Sequence, residues 1–238
     1  REKNAQLHHL NASKDKFFSI IAHDLRSPFT ALIGLTQMLA KNIERYTQAQ
    51  LKSNLKKLQT SAERVFSLLE NLLTWSRIQR GLMEYTPDTL PLGDVSAMIC
   101  DVFMAAAEQK QIRLSCGIPR ECKAHADDQM VMTIMRNLVS NALKFTPQGG
   151  NIYLSAADAG NYVEIAVADS GVGIPPRALE KLFRIDEHHT TVGTAGEKGT
   201  GLGLILCHDL VKTNGGTMRV ESEVGKGTTF RFTLPKPS

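Results

Sequence analysis

No stretch of this chain approaches the roughly 20 consecutive apolar residues that a bilayer crossing requires; runs such as 202–207 are far shorter. Nor does it open on a charged n-region followed by an apolar core, the pattern of a secretory leader. Beginning at Arg1, it reads as an excised piece, and no membrane contact is expected within it. Cysteine is scarce and unpatterned: Cys100, Cys116, Cys122 and Cys207 form no C-x-x-C and have no histidine pairs nearby. That argues against a zinc site or a disulfide framework and for reduced thiols. Aromatics make up only 6% and the basic residues are scattered, so a net charge of +4 does not describe a nucleic-acid surface. What is present is a globular composition, 42% hydrophobic and 22% charged, over 238 residues, a length that suits two domains.

Helix breakers are the next absence. Between about residues 2 and 81 only Pro28 and a break near 45–47 interrupt helical patterning. In the second arm Leu51, Leu55, Leu58, Ala62, Val65, Leu69 and Leu72 alternate steps of four and three, a coiled-coil seam. Phe18, Ile21, Leu25, Leu32 and Leu39 form a similar seam in the first. Extra apolar positions at Phe66, Leu68 and Leu73 widen the stripe beyond a two-helix contact. A homodimer of two hairpins, an antiparallel four-helix bundle, would bury it.

Past Gly81 the texture changes. Residues 82–91, with two prolines, are expected to be a linker between a helical hairpin over 1–81 and a second domain over 92–238. There the patterning predicts helices over 95–110, 128–145 (N-cap Asp128), 175–183 and 201–212. Strands are expected over 112–116, 123–126, 151–157 and 162–168, with a polar loop over 186–198 and a final hairpin over 217–234. The expected fold class is α+β: the hairpin, then an α/β sandwich whose mixed sheet is covered by helices on one face.

Three glycine-bearing segments lie in this half: 169–173, 199–203 and 225–228. Taken singly, each reads as a turn. The dinucleotide fingerprint G-x-G-x-x-G is not met, because Gly203 follows Gly201 too soon, and no Gly-Lys-Ser/Thr exists for a Walker A loop. The joint pattern is more telling. Asn137 and Asn141 stand one helical turn apart, with Lys144 less than a turn further, ahead of all three glycine segments. Two amide oxygens and an ammonium can converge on one polyphosphate and its Mg²⁺.

From about residue 92 to 235 these motifs resemble the ATP-binding domain of the GHKL superfamily, shared by histidine kinases, gyrase and MutL. The resemblance implies ATP and Mg²⁺ as cofactors. It makes Asn137, Asn141 and Lys144 the N box, with Asn141 the Mg²⁺ ligand, and has Asp169 accept from the adenine amino group. A carboxylate accepts and cannot donate, so it selects an exocyclic amine over a carbonyl. Gly171 and Gly173 would let the backbone approach the base, with Thr228 a second polar contact. Gly199, Thr200, Gly201, Leu202 and Gly203 would open a helix on the phosphates, beneath a lid formed by the polar loop. Arg184 and Lys198 would reach the γ-phosphate. Phe183 matches the F box, although Asp186 stands where its second aromatic is usual, and Phe145 replaces a frequent tyrosine.

The reaction is decided by residues 17–28, FFSIIAHDLRSP. At about 100° per residue His23 lies roughly 160° from Ile21 and Leu25, off the seam and toward solvent. The segment resembles the H box of histidine kinase dimerisation domains, which implies a catalytic core that autophosphorylates His23 and passes the group to a response regulator receiver domain. Asp24 would orient the imidazole as general base. Ser27, where family members that dephosphorylate their partner carry Thr or Asn, shares the His23 face. Pro28 frees a carbonyl and is expected to bend the helix. The expected location is the cytosolic portion of a sensor, membrane-anchored or not. Two rivals stand beside this reading: a GHKL ATPase that releases free phosphate, and a dimeric adaptor without catalysis.

Overall fold

The computed structural model describes residues 21–22, 25–183, 191–197 and 201–237. The chain divides into two compact units, Arg1–Gln79 and Arg80–Ser238. Among the described residues no helix is long and apolar enough to cross a membrane.

The first unit is a helical hairpin. Helix α1 covers 21–22 and 25–42 and stays helical through Pro28. A 3₁₀ turn at Ile43–Arg45 leads to α2, Gln48–Gln79. The start of α2 is a capping box: Thr47 N–H donates to Gln50 Oε1 at 2.9 Å, and Gln50 N–H donates back to Thr47 Oγ1 at 3.3 Å. Burial within the single chain follows part of the expected seam. Leu51, Leu58, Val65 and Leu72 are inward as expected, but the alternate positions are Asn54 and Leu68, 8% and 2% exposed, whereas Leu55 and Leu69 are 59% and 43% exposed. α2 carries two apolar stripes, and periodicity alone could not say which one faces α1.

The second unit holds a five-stranded mixed sheet in the order β2-β4-β5-β7-β6 and a two-stranded ladder, β1-β3. The strands are β1 Asp88–Pro91, β2 Arg113–Cys116, β3 Lys123–Ala126, β4 Asn151–Ala159, β5 Tyr162–Asp169, β6 Met218–Glu223 and β7 Gly227–Pro235. Among the described residues only β2 and β4 run parallel. The helices are α3 Leu92–Gln109, α4 Asp128–Phe145, the single turn α5 Pro176–Leu179, and α6 Gly203–Thr213. Alternation sorts the sheet faces. Ile152, Leu154, Val163, Ile165, Val167, Phe230, Phe232 and Leu234 are buried, together with Ile134, Met135, Leu138 and Val139 of α4. The opposite face carries a lattice in which Glu164 accepts from Arg219 Nη2 at 2.9 Å and from Arg231 Nη1 at 3.4 Å.

The second unit departs from expectation at three places. Residues 88–91 form β1 although prolines bracket them, because β1 pairs antiparallel with β3 from Asp88↔Ala126 to Pro91↔Lys123. The helix expected over 175–183 is a single turn at Pro176–Leu179, followed by non-helical turns. The N-cap of α4 is Asp127 rather than Asp128, with its side chain accepting from Met130 N–H at 3.0 Å.

Asp127 does more than cap. Its Oδ2 accepts from Thr86 N–H at 3.0 Å and Thr86 Oγ1 at 3.1 Å, and its own N–H donates to Asn214 Oδ1 at 2.9 Å. The buried carboxylate therefore ties the strand entry to the start of α4. Asp127→Ala is expected to destabilise the second unit by about 2 kcal/mol, through loss of the cap and of the partner to Thr86. Thermal unfolding of that unit should fall by about 4–8 °C; an unchanged midpoint would contradict this account.

Candidate functional site

The site grows from α4. Met130, Val131, Ile134, Met135, Leu138, Val139, Ala142 and Leu143 are its buried stripe, which leaves Asn137, Asn141 and Lys144 along a flank. Asn137 Nδ2 donates to Thr133 O at 2.9 Å. The Asn141 amide has no hydrogen-bond partner among the described residues, and the residue is half-buried. Lys144 Nζ donates to Thr191 O at 2.9 Å and lies 4.4 Å from the Phe145 ring centroid.

α6 packs beside α4. A Cβ on Gly203, its first residue, would stand 2.7 Å from Asn137 Oδ1, so the helix start lies close against the N-box side chain, whose amide would have to move to admit a larger residue. Leu202 precedes it without a side-chain cap and is itself buried, fixing the helix start in the core. Gly201 has φ +65°. The first N–H groups of α6 are thus left for an anion.

At the end of β5, Asp169 Oδ1 accepts from Gly171 N–H at 2.8 Å and Thr228 N–H at 3.3 Å. Both bonds fall on one oxygen, which leaves Oδ2 for another donor. Burial pushes the Asp169 carboxyl above the usual aspartate range, and the two N–H donors only partly offset it. The loop after it is sandwiched. Val172 N–H donates to Phe145 O at 3.2 Å, and Gly225 N–H donates to Val172 O at 2.9 Å. A Cβ on Gly171 would meet Phe145 O at 2.6 Å, and one on Gly173, at φ +72°, would meet Glu223 O at 2.1 Å. The second polar residue, Thr228, is buried and shares a 2.8 Å hydrogen bond with Ser222 Oγ. Ser222 also donates to Gly227 O at 2.9 Å and accepts from Ile174 N–H at 2.8 Å. Sequence patterning does not point to Ser222, because only the β6–β7 pairing, Ser222↔Thr228, reveals its place.

Phe183 stacks obliquely on His208, ring centroids 5.3 Å apart. In the first unit Ser27 is exposed on α1. His23, Asp24, Arg184, Lys198, Gly199 and Thr200 lie outside the described residues. The structure therefore brings together, within the second unit, an α4 flank of two amides and an ammonium, an uncapped helix start, and a carboxylate with one engaged oxygen. This arrangement can hold a polyphosphate at one end and an amine-bearing ring at the other.

Comparison with known proteins agrees with that chemistry. Residues 126–238 match the family described as histidine kinase-, DNA gyrase B-, and HSP90-like ATPase, and residues 13–81 match the histidine kinase A phospho-acceptor domain. The chain is 28% identical over 235 residues to the non-motile and phage-resistance protein of Caulobacter vibrioides, covering 94% of this chain and 27% of that protein. It is 31% identical over 235 residues to the aerobic respiration control sensor protein ArcB of Escherichia coli K12, covering 95% and 29%. It thus spans under a third of the length of these curated relatives. Its fold resembles that of the histidine kinase ThkA, solved in complex with the response regulator TrrA, with TM-score 0.69 and 22% identity over 100% of this chain and 64% of ThkA.

Proposed function

The chain belongs to the sensor histidine kinases, carrying their phospho-acceptor domain ahead of their ATP-binding domain, and we propose that it phosphorylates its own His23 from ATP and passes the group to an aspartate of a response regulator receiver domain. The observation that carries the reading is the Asp169 carboxylate, with Oδ1 engaged by Gly171 and Thr228 and Oδ2 available to an exocyclic amine. A guanine carbonyl would meet acceptor against acceptor there.

The residues fit the group they are proposed to hold. Asn141 supplies an oxygen ligand for Mg²⁺, which would neutralise charge on the phosphates. Lys144 and the first N–H groups of α6 would contact the same phosphates, with Gly203 bringing the helix start close beside Asn137. Gly199, Thr200, Lys198 and Arg184 are proposed to complete that end. His23 attacks the γ-phosphorus through its Nε2 lone pair, an N–P bond forms, and the bond to the bridging oxygen breaks to release ADP. Asp24 accepts the Nδ1 hydrogen and keeps the imidazole in the reactive tautomer. Ser27 can hydrogen-bond a water beside the phosphorylated imidazole, the position needed for a dephosphorylation step.

Two hairpins are proposed to pair as a four-helix bundle. Leu55, Phe66, Leu69 and Leu73 of α2, with Phe29 and Ile33 of α1, are exposed apolar positions in the single chain, and a second copy would cover them. The partner reading draws on ThkA, whose structure was solved with a response regulator.

The test is incubation with Mg²⁺ and γ-labelled ATP. Label on the protein, stable to alkali and lost in acid as a phosphoramidate must be, is the expected result. Free phosphate without protein label would instead mark an ATPase.

A further inference from the structure

A cation outside the proposed nucleotide contacts stands where α3, α4 and loop 191–197 meet. Lys110, the residue after α3, donates from Nζ to Leu143 O at 2.7 Å, to Lys144 O at 3.3 Å and to Glu197 Oε1 at 3.1 Å. The carbonyl end of a helix is the negative end of its dipole, so an ammonium there is favoured even before its ion pair is counted. Its side chain is 18% exposed and that of Glu197 is 36% exposed, so water screens the contact less than on an open surface.

Glu197 carries the tie into the loop. Its Oε2 accepts from Ala195 N–H at 2.8 Å, and its carbonyl accepts from Gly193 N–H at 2.7 Å, closing 193–197 into a small ring. Burial works to raise the Glu197 carboxyl, but the N–H groups of Glu197 and Ala195 and the Lys110 ammonium outweigh it, leaving it below the usual glutamate range. The ring is laid on the last turn of α4. Thr194 N–H donates to Lys144 O at 3.0 Å, and Thr194 Oγ1 donates to Thr146 O at 3.0 Å. Gly193 has no room for a side chain: a Cβ would fall 2.4 Å from Glu197 Oε2 and 2.5 Å from Lys144 Cγ. From the same loop, Thr191 O accepts the Lys144 ammonium.

We propose that Lys110 is a positioning residue for the nucleotide site: paired with Glu197, it clamps loop 191–197 on the end of α4 and thereby sets where Lys144 presents its charge. The positioning role rests on the reading of Lys144 as a phosphate contact, whereas the clamp itself does not. An arginine can replace the charge and the forked donation, while methionine keeps the apolar stem and loses both.

Two measurements separate the parts. In nucleotide-free protein, amide hydrogen exchange at 193–197 is expected to be about ten-fold faster in Lys110→Met than in wild type, and close to wild type in Lys110→Arg. With Mg-ATP, Lys110→Met and Glu197→Gln should each raise KM about three- to ten-fold with kcat little changed. Because they break one contact, the double variant should be no worse than the worse single one. Equal exchange in wild type and Lys110→Met overturns the clamp. Multiplying effects on KM, or an effect confined to kcat, overturns the positioning role. Wild type that binds no Mg-ATP removes the nucleotide reading, and apo exchange still decides the clamp on its own.

Discussion

His23→Gln is expected to abolish acid-labile labelling, by on the order of 10³-fold or more, while nucleotide affinity stays at the wild-type level. The size follows from the chemistry: no imidazole remains to form the N–P bond, and a glutamine amide is no nucleophile at neutral pH. The retained affinity follows from the architecture. The proposed nucleotide contacts from Asn137 to Thr228 all lie in the second compact unit, whereas His23 lies in the first. Labelled ATP with the variant and fluorescent-nucleotide titration in parallel would test both halves. Label persisting in the variant would move the acceptor to another residue. Lost label with equally lost affinity would instead mean that His23 acts through the fold.

Asp169→Asn should weaken ATP about 10- to 100-fold, the range lost with one charge-assisted hydrogen bond of about 1.5–3 kcal/mol. An asparagine can keep its oxygen on Gly171 and Thr228, the two N–H donors that fall on Oδ1. Its amide nitrogen then faces the adenine amino group, donor against donor. The fold should be spared. Burial raises the Asp169 carboxyl, so protonation favours the folded apo unit. A group shifted this way contributes stability that is complete below its unfolded value and is lost as pH rises through its folded value. At neutral pH the ionised carboxylate is therefore a cost, and the asparagine variant should melt at or slightly above wild type. The same shift gives a pH signature: wild-type ATP affinity should fall on acidification beginning above the usual aspartate range, and this limb should be absent in the variant. Calorimetric titration across that range would decide it. Undiminished binding by the variant would remove Asp169 from the adenine contact.

Much of the site is legible in the amino-acid sequence itself, for identifiable reasons. Asn137, Asn141 and Lys144 share a flank because α4 has a strong apolar period, and Gly171 and Gly173 each stand where a Cβ would collide with a backbone carbonyl. Local rules reach that far. Which stripe of α2 faces α1 within the chain is not legible, because Asn54 takes an inward place while Leu55 does not; an apolar pattern with two stripes does not name its neighbour. β1 is hidden behind Pro87 and Pro91, since a strand that exists through its pairing with β3 has little local signal. Ser222 depends on the register of the β6–β7 hairpin, Ser222↔Thr228, and the Lys110–Glu197 pair on partners 87 residues apart. No spacing motif joins them.

Thr86 and β1 also determine where the ATP-binding unit can be trimmed. A shortened protein beginning at Leu92 would keep every glycine segment yet lose the strand mated to residues 123–126 and the two donors that Thr86 offers Asp127. β3 would then present an unsatisfied edge to solvent, an invitation to intermolecular pairing, and the solubility of such a piece would suffer although its nucleotide contacts remained intact. The independent folding boundary therefore belongs ahead of Thr86, in the short stretch that follows α2.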